Sequence, residues 1–145
     1  MQGFTNAIYI DDTYLQGDSA EECSDNVKAT DICFRKLGFM INDKKSVRVP
    51  VQQLTMLGFI LDSTNMTVRL TPEKARGVQV LCEQMRTRRS TSIQKLAELI
   101  GKLCSSFPGV EFGKLQYREL EALKCEGLKM SRGDFSAKVN LNAAV

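Results

Sequence analysis

The 145 residues, 43% hydrophobic and 26% charged, have the balance of a globular chain with room for one domain or two small subdomains. No apolar run approaches the ~18 residues that a membrane-spanning helix needs, and Met1-Gln2-Gly3 opens no signal peptide. Five cysteines with no C-x-x-C pair, and no histidine at all, exclude the usual zinc sites. An intracellular protein with reduced thiols and no membrane partner is expected, whether nuclear or cytoplasmic. The net charge of +3 is unevenly spread: residues 1–70 hold 7 Lys+Arg against 9 Asp+Glu, and residues 71–145 hold 13 against 8. An acidic half joined to a basic half suits a polyanionic partner.

In chain order, residues 4–10 and 13–16 read as two strands of a hairpin, rich in Ile, Tyr and Thr. Asp11-Asp12 forms the tip, because Asp is disfavoured in strand interiors but tolerates turns. Asp18-Ser19 then offers a helix N-cap, with Glu21-Glu22 in the first turn. Cys23, Val27, Thr30, Phe34 and Leu37 recur at helical spacing as a core stripe, and Gly38 is the stop. Val47, Val49 and Val51 alternate around Pro50 and predict an edge strand. Residues 54–61 and 66–70 predict a second hairpin about the turn 62–65, with Gly58 marking a bulge or a close backbone approach to a ligand.

Thr71-Pro72 opens the helical half as N-cap and first helical residue, followed by the stripe Ala75, Val78, Leu81, Cys82, Met85. Thr91-Ser92-Ile93-Gln94 predicts a capping box for a second helix, whose stripe is Ile93, Leu96, Ala97, Ile100, Leu103, Cys104, Phe107. A third helix is expected from about residue 113 to 128, carrying Leu115, Leu120 and Leu123, before a polar tail from Met130. Three stripes on short links read as a helical bundle.

Two adjacent carboxylates on a rigid ribbon supply the hard oxygen ligands that Mg²⁺ takes from proteins. Tyr9-Ile10-Asp11-Asp12 resembles the Tyr-x-Asp-Asp signature of reverse transcriptases. The likeness continues through Leu37-Gly38-Phe39-Met40-Ile41-Asn42, Lys44-Lys45-Ser46, Leu57-Gly58-Phe59-Ile60-Leu61-Asp62-Ser63 and Met66-Thr67-Val68-Arg69-Leu70-Thr71. In the helical half it includes Leu99-Ile100-Gly101-Lys102-Leu103, Ser105-Ser106-Phe107-Pro108 and Gly113 to Glu121. Taken in order, the chain is similar to the later part of a DIRS-type retrotransposon reverse transcriptase.

That resemblance implies an α+β fold: a partial polymerase palm over residues 1–70, made of two antiparallel hairpins and a packed helix, then a three-helix thumb-like bundle over 71–130. Residues 131–145 would be a tail or linker. It implies RNA-directed DNA polymerase chemistry, a two-Mg²⁺ nucleotidyl transfer. Asp11 would be the more direct catalytic metal ligand and Asp12 its companion. Tyr9 and Ile10 would shape the primer and nucleotide pocket, and Met56, Leu57, Gly58 and Phe59 would grip the primer strand. The family pattern also requires a third Asp from an earlier palm strand, fingers and an RNase H-like portion, none of which these residues supply. Asp18, Asp25 and Asp31 fall in or beside the first helix and do not fill that place. The chain is therefore expected to be a fragment of a longer polyprotein, inactive alone and weak in Mg²⁺ affinity without nucleotide. Its partner would be an RNA/DNA primer–template duplex, its backbone held by Arg86, Arg88, Arg89, Lys95 and Lys102. The alternative reading is a non-catalytic nucleic-acid-binding module derived from a retroelement. A purely structural helical module explains the stripes but not the hairpin motif.

Overall fold

Thr5–Tyr9 (β1) and Asp12–Gln16 (β2) pair antiparallel in a computed structural model that describes residues 4–115 and 117–141. The chain is α+β, with small antiparallel sheets and, among the described residues, four α-helices, and it divides into two units, residues 1–52 and 53–145.

In the first unit the hairpin packs on Ala20–Lys36 (α1). Ser19 caps α1 by accepting the Glu22 amide, while the Glu22 carboxylate accepts the Asp18 amide at 2.9 Å. At the far end Gly38 turns left-handed (φ 85°), its amide donating to Arg35 and that of Phe39 to Phe34. The Phe34 and Phe39 rings meet at 5.5 Å, closing this glycine C-cap with an apolar contact. The buried residue of α1 is polar. Asn26, 0% exposed, donates through Nδ2 to the carbonyls of Thr5 (3.0 Å) and Gln16 (2.9 Å). Those residues are the last pair of the ladder, so one amide clamps the open end of the ribbon to the helix. The expected stripe is only half-buried, and its last member, Leu37, is exposed.

The edge strand expected at 47–51 does not form. Arg48 instead reaches back to Asp31 (2.8 Å) and to Asp43, and Arg35 Nε also donates to Asp31 (3.0 Å). This ion-paired latch holds the segment near α1, and Val47, Val49 and Val51 are exposed.

In the second unit Gln53–Met56 (β3), Phe59–Asp62 (β4) and Thr67–Leu70 (β5) make a three-stranded meander. The single strand expected over 54–61 is thus two strands, reversed at Leu57-Gly58. Asp62, buried, organises the next turn: Oδ1 accepts the amides of Thr64 and Asn65, and Oδ2 accepts the side chains of Asn65 and Gln53. These bonds, led by the Asn65 amide, hold its carboxyl below the usual range.

Pro72–Arg86 (α2), Ile93–Cys104 (α3) and Arg118–Met130 (α4) follow, with one-turn 3-10 segments at Phe107–Gly109 and Gly113–Leu115. Thr71 caps α2; α3 is capped by Ser92, which accepts the Lys95 amide, so the capping box expected from Thr91 to Gln94 does not form, and the Gln94 amide donates to the Phe135 carbonyl instead. The core consists of Ile93, Leu96, Ile100 and Val139, beside Met85, Leu99 and Leu141. Two of those residues lie in the segment expected to be a tail. Lys138–Asn140 (β7) pairs antiparallel with Ser90–Ser92 (β6), so residues 138–141 close the helical unit instead of leaving it. The third helix starts later than expected, and Leu115 lies outside it, exposed. The contact boundary falls at 52/53 instead of 70/71, because β3–β5 belong with the helices. Among the described residues no helix is long and apolar enough to cross a membrane.

Candidate functional site

The hairpin tip is one residue off the expected position. Tyr9 pairs with Asp12, leaving Ile10 and Asp11 as a two-residue turn. Such turns need positive φ at the first central position, where glycine is the usual occupant. Here Ile10 takes it, at φ 56° and 81% exposed. A β-branched residue in this region is an outlier costing about 1–3 kcal/mol. Its side chain recovers little by burial, so the strain is not offset locally. Asp11 sits in the turn and Asp12 begins β2, both exposed, with Tyr9 exposed opposite Asp12.

Two adjacent carboxylates thus project from the free end of a ribbon whose other end Asn26 holds. Among the described residues no group of three or more His, Cys, Asp or Glu side chains converges as a metal site. Two carboxylates of α1 are paired with cations of their own: Asp31 is bound by Arg48 and Arg35, and Asp25 pairs with Lys28 at 2.9 Å. The hydrogen bonds from Arg48 and then Arg35 hold the Asp31 carboxyl below its ordinary range.

Residues 56–59 lie in the second unit as the end of β3, a turn and the start of β4. Leu57 (φ 52°) and Gly58 (φ 78°) are both left-handed. The α2 N-terminus holds this turn: the Thr71 amide donates to the Gly58 carbonyl at 3.0 Å, and Lys74 Nζ to the Leu57 carbonyl at 3.2 Å. Lys74 Nζ also stands 3.9 Å from the Phe59 ring centroid, a cation–π contact. Burial, and then the charge of Lys102, lower the Lys74 pKa. Gly58 does make a close approach, but to the Lys74 stem: a Cβ there would lie 2.7 Å from its Cδ.

The basic residues divide into two sets. Arg86 ends α2, and Arg88 and Arg89 lie in the link to β6, all exposed. Backbone bonds pin that link, Arg88 to Met85 and Leu141 to Arg89. Lys95 and Lys102 lie on α3, one heptad apart and exposed. Pattern reading missed Asn26 and Lys74. Asn26 is polar on a face where burial was sought among apolar residues, and Lys74 acts across a turn that the apolar run 54–61 concealed. Compared with protein-family models, curated proteins and solved structures, the chain matches none.

Proposed function

We propose that this chain is part of an RNA-directed DNA polymerase of the reverse-transcriptase type, nearest those of DIRS-type retrotransposons. It supplies the carboxylate hairpin of the palm and a helical, backbone-gripping part. The observation that carries this reading is the strained turn: Ile10 at positive φ, with Asp11 and Asp12 exposed beside it. A surface turn with no task has no reason to keep a β-branched residue where glycine relieves the strain. In a tip that aims two carboxylates, backbone strain is a common companion of function.

The donor set fits Mg²⁺, which takes one or two carboxylates and completes its shell with water and phosphate oxygens. Bound there, Mg²⁺ supplies charge stabilisation to phosphoryl oxygens and orients them. The residues' own tasks are narrower. Asp11 and Asp12 hold the ion, the β1–β2 ladder fixes their spacing, and Tyr9 and Ile10 flank the site. Two carboxylates alone give weak affinity, so a nucleoside triphosphate should strengthen binding. The exposed Arg86, Arg88, Arg89, Lys95 and Lys102 provide charge for a duplex backbone without base readout.

The test is paramagnetic. In isotope-labelled chain, Mn²⁺ with a nucleoside triphosphate should broaden the amide signals of residues 9–13 selectively, and Asp11→Asn with Asp12→Asn should abolish this. Broadening centred elsewhere contradicts the polymerase reading. If duplex binding persisted in that case, the non-catalytic nucleic-acid-binding module would be the better account.

A further inference from the structure

The Leu57-Gly58 turn is anchored by two bonds of different kinds. The bond to Gly58 comes from the backbone of Thr71, which caps α2 with its side chain accepting the Lys74 amide. Of all substitutions at 71, only proline removes that donor directly. The bond to Leu57 comes from the end of a long side chain that also covers Phe59 and Gly58. Leu57 is the strained member of the pair, a branched residue at φ 52° where glycine carries no penalty. Its carbonyl direction is set by that strained backbone and by one ammonium.

We propose that Lys74 is a positioning residue: its ammonium holds the Leu57 carbonyl and the Phe59 ring, and so sets the face that residues 56–59 present to a nucleic-acid strand. The inference rests on the polymerase reading for the identity of that strand, but not for the lock itself. The lock has three parts in one side chain. The stem lies over Gly58, where any Cβ would collide with it. The Nζ donates to Leu57, and its charge rests on the Phe59 face. Lys102 bears on the same ammonium from α3 and disfavours its charged form, and burial does so more strongly. The lock is therefore held under electrostatic opposition, and a neutral side chain of the same length tests it cleanly.

Lys74→Met keeps the stem and removes the charge and the donors. In the full chain, the Gly58 amide and Phe59 ring resonances should shift, while those of α4 remain in place. Lys74→Arg, which can donate and stack, should restore most of the native shifts. Affinity for a primer–template duplex should fall about three- to ten-fold in Lys74→Met, with the slope of log affinity against log salt unchanged. Unmoved Gly58 and Phe59 signals in Lys74→Met would overturn the proposal. So would a slope reduced by about 0.9, since the ammonium would then be neutralising a phosphate itself. Should the native chain bind no duplex, the polymerase reading fails, and the resonances alone decide the lock.

Discussion

Replacing Asn26 with Ala removes the two bonds that join the open end of the β1–β2 ribbon to α1. Both carbonyls lose their donor, and the Thr30 hydroxyl loses the acceptor it reaches at 3.2 Å. A hydrogen bond of this kind contributes about 1 kcal/mol net, and leaving a buried group unpaired costs more. The two carbonyls belong to the ladder's last pair, where water can partly replace the amide, so the lower figure applies to each. The sum is about 2 kcal/mol, roughly thirty-fold in an equilibrium constant. The second unit has its own core, so a global melt would blur the effect. Amide hydrogen exchange resolves it: β1, β2 and α1 amides should lose about thirty-fold in protection, while α3 and α4 amides remain unchanged. The same substitution should weaken Mn²⁺ broadening at the tip, because the ribbon's base is no longer held. A loss of less than about three-fold would refute the clamp and leave strand pairing as the ribbon's main support.

Three further outcomes are expected. Thr91 is 3% exposed, and its hydroxyl has no hydrogen-bond partner among the described residues, so Thr91→Val should stabilise the second unit by about 1 kcal/mol, read as a higher urea midpoint with unchanged slope. Asp31 titrates below its ordinary 3.8, so its contribution is present above that value and lost as pH falls through the lower folded value; the Arg48 side-chain signals should change there, and Asp31→Asn should remove the transition. Arg86→Gln, Arg88→Gln and Arg89→Gln together should weaken duplex binding and flatten its salt dependence, whereas unchanged affinity and slope would mark these residues as solvated surface charge.

Local signals were legible where one residue settles one terminus. Ser19 and Thr71-Pro72 cap the helices that pattern and chemistry predict for them, and Gly38 ends α1, but at α3 the cap is Ser92, one residue past the Thr91 expected. The α3 stripe was legible because three of its members, Ile93, Leu96 and Ile100, are apolar and buried, though the fourth buried residue of the helix, Leu99, was passed over. The β3–β4 reversal was not, since Leu-Gly lacks the Asn or Asp that usually announces a left-handed turn and the flanking residues form one apolar run. Nor was β7: its three residues have no pattern of their own, and they become a strand only by pairing with Ser90–Ser92 far back in the chain. Of the candidate site, the carboxylates were readable and their register was off by one. Ile10 accepts a conformation that its side chain disfavours, which no propensity scale anticipates. Asn26 and Lys74 act through space on backbone carbonyls, and such contacts have no period in sequence.

On the proposed polymerase reading, Asp11 and Asp12 place a metal ion at the end of a primer strand. With Fe²⁺ in place of Mg²⁺, ascorbate and peroxide generate hydroxyl radicals wherever the ion is held. In a complex of the full chain with a primer–template duplex and nucleotide, protein cleavage should cluster around residues 9–13, and duplex cleavage near the primer 3′ end. Both should vanish together in the Asp11→Asn, Asp12→Asn chain. Cuts centred elsewhere on the protein, or cuts that survive the double substitution, would contradict the account.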